Sequence, residues 1–220
     1  SSPTHSYCKF LYKYPQEAFP YLDLLQKNRK GRLSPEYELL DTGLFDNDRY
    51  FDCYIEYAKR DINDILMKIT VYNRGPEAAT IHVIPHLWFR NFWKHNGRFS
   101  KPEIVSVAEN CLQTRSSRNG SFFLYHQGGE QVFCDNETNN RRMYGRTNDS
   151  VFVKDGINNY IVNKENSVNP EKQGTKAAIW LKEKIQPGAS KTFNIRLSKT
   201  EIDDPWIGFE DIFARRRLDT

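Results

Sequence analysis

The stretch FDCYIEYAKRDINDILMKITVY (51–72) decides the fold. In its first half Phe51, Cys53, Ile55 and Tyr57 alternate with Asp52, Tyr54, Glu56 and Ala58, and period-two alternation marks a strand with one face turned to a core. DIND (61–64) reads as a turn. Ile65, Met67, Ile69 and Val71 then share one face with Lys68 and Thr70 on the other, so the two halves form a hairpin. The break NRGPEAA (73–79) carries Gly75 and Pro76, and alternation resumes in TIHVIPHLWF (80–89). This predicts a meander of three strands. Pro85 cannot donate to a ladder, which predicts that the third strand lies at an edge or carries a bulge there.

Further strands are expected at IVSVAEN (104–110), SFFLYHQ (121–127) and QVFCD (131–135). AAIWLKEKI (177–185) and KTFNIRLS (191–198) flank QPGAS, whose Pro187 and Gly188 suit the centre of a tight turn, so a late hairpin is expected. Many short strands with regular turns predict an all-β fold, an antiparallel β-sandwich. Two segments depart from that pattern. PQEAFPYLDLLQKNRKGR (15–32) supports at most a short helix. DDPWIGFEDIFARRR (203–217) predicts a terminal helix with Asp204 as N-cap ahead of Pro205, Ile207 and Ile212 on one side, and arginines at its C-terminal end.

Composition excludes several classes. The chain has 220 residues, 38% of them hydrophobic and 30 of them aromatic, enough for one sizeable core. The mean hydropathy of −0.74 and the absence of any apolar run near ~18 residues rule out a helical membrane span. Lys and Arg number 32 against 28 Asp and Glu, a net of +4, with the signs interspersed. No concentrated basic face is legible, so nucleic acid is not expected as a partner. Cys8, Cys53, Cys111 and Cys134 are too widely spaced for paired zinc knuckles. Cys53 and Cys134 fall within strands, where a thiol packs as a small apolar group. The N-terminus, SSPTHSYCKF, has no charged or apolar leader pattern. A cytoplasmic location is therefore expected unless a signal lies upstream.

Few motifs carry chemistry. LLDTG (39–43) has the form of an aspartic-protease loop, but a second Asp-Thr-Gly would have to come from a homodimer. A tight turn into the strand at 51, with Gly43 supplying the backbone angle, is the favoured reading. DNDRYFD (46–52) alternates oxygens as calcium loops do, yet lacks their glycine and distal glutamate. It reads as a polar turn. His82 and His86 share a strand face ~13 Å apart, too far for one metal, and are expected half-buried. No G-x-S-x-G, P-loop or G-x-G-x-x-G occurs, so neither metal nor cofactor is expected. HLWFRNFWKHNGR (86–98) crowds aromatic rings beside amide and guanidinium donors, a composition suited to carbohydrate or to a domain interface. Its candidates are Trp88, Arg90, Asn91 and Trp93, though the favoured reading places Trp88 and Phe92 in the core or a domain interface.

PTHSYCKFLYKYPQEAFPY (3–21), ELLDTGLFDNDRYFDCYIEYAKRD (38–61), TVYNRGPEAATIHVIPHLWFRNFW (70–93), DNETNNRRMYG (135–145) and VNPEKQGTKAA (168–178) resemble, in that order, bacterial proteins similar to glycoside hydrolase family 63. The resemblance implies an N-terminal β-sandwich of the super-sandwich type, with short peripheral helices. Such a sandwich packs on a large (α/α)6 barrel that performs inverting hydrolysis of α-linked sugars. On this reading residues 1–203 are the sandwich, incomplete at its N-terminus, and 204–220 begin a linker helix toward the catalytic domain. The family's catalytic acid and base lie in the barrel, so no catalytic residue is inherited here. The expected partners are that catalytic domain and the parent's oligosaccharide substrate. A homodimer through open sheet edges is also expected. The alternative is an autonomous carbohydrate-binding module.

Overall fold

The computed structural model describes residues 1–31, 33–96 and 99–219. Strand β1 (Tyr7–Pro15) and helix α1 (Tyr21–Asn28) precede β2 (Tyr50–Asp61) and β3 (Asp64–Asn73). Then come β4 (Ala79–Val83), β5 (His86–Trp88), α2 (Trp93–Asn96), β6 (Glu103–Ala108), β7 (Cys111–Ser116), β8 (Gly120–His126) and β9 (Glu130–Cys134). Helices α3 (Asn140–Tyr144) and α4 (Gly156–Asn163) lead to β10 (Gln173–Gly174), β11 (Lys176–Ile185), β12 (Ser190–Ser198) and helix α5 (Phe209–Leu218).

Among the described residues the strands make an antiparallel sandwich. One sheet has eight strands in the order β1-β2-β3-β12-β8-β7-β6-β10. In the other, β11 has β9 on one side and β4 followed by β5 on the other. The two sheets close on Phe51, Ile69, Val71, Phe133, Ile179 and Phe193. The β2–β3 hairpin forms in the predicted register, with Ile55 opposite Ile69 and Glu56 opposite Lys68. Its alternation is thus real: one set of side chains meets the small sheet, and the other meets α5.

Two connections differ from expectation. The third strand does not extend a meander. At Asn73 the chain leaves the large sheet, and β4 pairs with β11 in the small one. Nor is QPGAS a hairpin turn, because β11 stays in the small sheet while β12 pairs with β3 and β8. Alternation reports that a strand has one apolar face; it does not say whether the next strand lies beside it or across the core. Crossing buries Ile81 and Ile185 against the inner face of the large sheet, in one cluster with Val71 and Phe193. Two successive hairpins would leave that face without a cover.

Pro85 does lie on an edge strand, and there is no bulge. Val83 faces Leu181 and His86 faces Ala178 on one continuous register, and the Ile179 N–H donates to the Pro85 carbonyl at 3.1 Å. The missing Pro85 N–H removes one ladder bond and separates β4 from β5.

The helices cover outer faces. α5 lays Phe209 and Phe213 on Tyr7, Ala58 and Leu66 of the large sheet, each ring contributing about 1.5–3 kcal/mol by burial. The expected cap is corrected: Gly208, at φ 67°, precedes the helix, while Asp204 accepts the Trp206 N–H at 3.0 Å. Ile207 points to solvent. Beneath this helix Arg196 is buried and grips Asp64 through Nε at 2.9 Å and Nη2 at 2.6 Å. On the small sheet, Ile157 and Ile161 of α4 pack against Val132, Cys134 and Ala178. α1 is the short helix expected, and none of its residues is buried.

Candidate functional site

The aromatic run at 86–93 comes off the end of β5. Leu87 and Phe89 turn inward against the core. Trp88 stays 55% exposed and rims a hollow of about 400 Å³ that also holds Thr114, Asn119 and Phe122. The adjoining turn brings Arg118 over the Phe92 ring at 4.5 Å, and Arg90 approaches the same ring at 5.4 Å. The ring is therefore clasped by two guanidinium groups. An indole face beside an amide and cations can stack on a pyranose ring and donate to hydroxyls.

The four predicted residues do not act together. Trp88 and Arg90 face solvent, and Trp93 is half-buried at the start of α2. Asn91 is spent on structure: its Nδ2 donates to the Asn136 carbonyl at 2.6 Å and to Glu137 Oε2 at 3.3 Å. Asn136 in turn donates to the Phe89 carbonyl at 2.9 Å. Glu137 is buried and pairs with Lys94, which also reaches Asp149 at 2.6 Å. This lattice fixes the strand end that presents Trp88. Asn119, Phe122 and Arg118 escape a reading of the run alone because they arrive from β8 and its turn, roughly thirty residues onward.

A second, polar hollow of about 550 Å³ lies where β6 and β10 meet the end of β9, lined by Lys101, Arg115, Ser116, Asp135 and Gln173 among others. Asp135 accepts from Lys101 Nζ at 2.9 Å and from the Thr175 N–H at 3.1 Å. Burial pushes its carboxyl up, but the bonds from Lys101, Ser150 and Thr175 outweigh burial and hold it below the usual range. Asp52 behaves alike: burial raises it, and Lys13 and Arg74, both at 2.7 Å, bring it down.

The remaining motifs resolve as structure. Leu39–Thr42 is a 3-10 turn closed by Gly43 at φ 73°, as expected, and Asp41 caps it by accepting the Glu38 N–H at 2.7 Å. Asp46–Asp48 is a second such turn. No cluster of three or more metal-ligating side chains occurs among the described residues. His82 and His86 are exposed, not half-buried, because they sit on the outer face of an edge strand. His82 accepts from Trp180 Nε1 at 2.8 Å. All four cysteines are free, and burial pushes the thiols of Cys53 and Cys111 up to about 11 and Cys134 up to about 12. No helix among the described residues is long and apolar enough to cross a membrane.

Fold and hollow define an antiparallel β-sandwich with an aromatic-rimmed concavity at one end. No family model matches the chain. It is similar to the uncharacterized protein YMR196W of Saccharomyces cerevisiae, 32% identical over 238 residues that take in 90% of this chain. The chain spans 22% of the length of that relative.

Proposed function

We propose that this chain is the non-catalytic sandwich domain of an inverting, glucosidase-like α-glycosidase acting on oligosaccharides. It packs on an (α/α)6 catalytic domain of the same polypeptide, and the Trp88 rim helps to shape the sugar pocket. The family assignment rests on the resemblance of the 38–61 and 70–93 blocks to glycoside hydrolase family 63. The absence of a catalytic role rests on the state of the acids. Inverting hydrolysis needs two opposed carboxyls, one of them held protonated by a dry site. Asp52 and Asp135 are displaced the opposite way, Asp52 by Lys13 and Arg74 and Asp135 by Lys101 with the neutral donors Ser150 and Thr175. The greater length of the yeast relative is consistent with chemistry housed elsewhere in a longer chain. Four free thiols fit a reducing, cytoplasmic compartment.

The test assays residues 1–220 and the full native polypeptide on α-glucosides, following anomeric configuration by NMR. Inverting turnover by the full polypeptide alone supports the reading. Turnover by pure 1–220, or none by either, overturns it.

Exposed Trp88 beside Asn119 and Phe122 favours one second reading, an autonomous carbohydrate-binding module. It predicts that gluco- or manno-oligosaccharides at millimolar concentration change the tryptophan fluorescence of 1–220 and that Trp88→Ala removes the change. A flat titration dismisses it.

A further inference from the structure

The inner face of the large sheet is wider than the sheet that covers it. Beyond β4 and β5, the inward side chains of β1 lie open: Phe10, Tyr12 and Tyr14 are 50%, 56% and 48% exposed. With Ile55, Tyr57 and Met67 they floor a groove of about 340 Å³, walled on one side by the β4–β5 edge. This is a core surface without its second layer.

The wall is unused backbone. The Ile179 N–H donates to the Pro85 carbonyl and the Phe89 N–H to the Thr175 carbonyl, and β4 and β5 keep one register on β11. In an antiparallel pair, hydrogen-bonded residues recur at every second position. The odd-numbered residues of this strand therefore bond to β11. Thr80, His82, Ile84 and His86 turn their N–H and carbonyl groups the other way, along the groove. Such a row is met by another strand, not by a helix, and that strand's alternate side chains fall on the apolar floor.

We propose that the groove seats a further β-strand, apolar at every second position, supplied in cis by polypeptide outside residues 1–220. Two observations favour that source. The yeast relative has more than three quarters of its length outside the matched region. And a strand arriving from a separate molecule must overcome roughly 4–15 kcal/mol of lost freedom, most of which a tethered strand escapes. The proposal stands apart from the glycosidase reading.

The test compares 1–220 with the full native polypeptide by amide hydrogen exchange and light scattering. In 1–220 the Thr80, His82 and Ile84 amides should exchange about 100-fold faster than those of Ile81 and Val83; in the full polypeptide they should be protected to the same degree. Tyr12→Lys, on the open floor, should leave the Tm of 1–220 within about 2 °C and lower that of the full polypeptide by more than about 5 °C. Unprotected amides in the full polypeptide overturn the proposal, as does a native polypeptide with nothing outside 1–220. Protection in 1–220 that rises with concentration alongside a dimer assigns the groove to a second copy, and equally overturns it.

Discussion

Asn73→Ala tests how the two sheet crossings are held. The side chain is fully buried and uses its whole bonding capacity. Nδ2 donates to the Glu77 carbonyl at 2.7 Å and the Ile185 carbonyl at 2.9 Å; Oδ1 accepts from the Gly75 N–H at 2.9 Å and from Gln16 Nε2 at 2.7 Å. Its backbone bonds to the other crossing, N–H to the Ala189 carbonyl and carbonyl to the Gly188 N–H, both at 3.0 Å. One residue thus ties the exit from β3 to the exit from β11. Alanine orphans the Gly75 N–H in the interior, at about 1–3 kcal/mol, and takes from the Ile185 carbonyl one of two donors, leaving it the ladder bond from Ala79, at about 0.5–1.5 kcal/mol. The groups facing Glu77 and Gln16 are only part-buried, so water can replace those bonds. The expected loss is about 3 kcal/mol, or a Tm lower by roughly 6–12 °C for a domain of this size. Urea unfolding and calorimetry measure it, with an unchanged m-value showing that the same surface is exposed. Asn194→Ala is the control, since that amide's Oδ1 has no partner and its removal should cost under about 1 kcal/mol. A Tm within about 2 °C of the parent for Asn73→Ala would refute the argument that this amide pins the crossings.

Arg196→Met should cost about 3–5 kcal/mol, because among the described residues it leaves buried Asp64 with Arg60, at 3.8 Å, as its one remaining cation; adding Asp64→Leu should recover most of the loss, read as a double-mutant cycle. His126 is buried and neutral, its pKa lowered by burial, with Nδ1 at 2.7 Å from the Gly128 carbonyl. Below pH ~6.5 the unfolded chain binds a proton that the native ring resists. Stability is thus complete above pH ~6.5 and falls by at most about 1.4 kcal/mol per pH unit below it. The lowered Asp52 and Asp135 contribute only at more acid pH, whereas His82 and His86, also lowered by burial, act in the same window, so His126→Gln should make a urea-midpoint profile between pH 6.5 and 5 shallower without levelling it. Gly129→Ala should lower the Tm by several degrees, because a Cβ there lies 2.7 Å from Leu181 Cδ2 and 2.9 Å from Ile179 Cγ2 at φ 90°.

What was legible follows from range. The β2–β3 hairpin, the strands β6, β8 and β9, and the edge position of Pro85 are written in neighbouring residues, and they formed as read. β1 was missed because YCKFLYKYP offers apolar groups on both faces: Phe10, Tyr12 and Tyr14 toward the groove, Leu11 away from it. α4 was missed because GINNYIVN buries only Gly156, Ile157 and Ile161. The site divides in the same way. Trp88 could be read from crowded rings, but Asn91 could not be struck off, since its bond to the Asn136 carbonyl spans 45 residues. Topology is the extreme case. A hairpin and a crossing share one alternation; burial of Ile81 and Ile185 favours the crossing, and a buried amide contacting residues 16, 75, 77 and 185 together holds the point where it occurs. Period-two reading gives Asn73 no weight, being neither apolar nor on a face. Yet substitutions at inward positions such as Ile69 should change how well the sheets pack, whereas those at Asn73 should change whether both strands leave their sheets at the right residue.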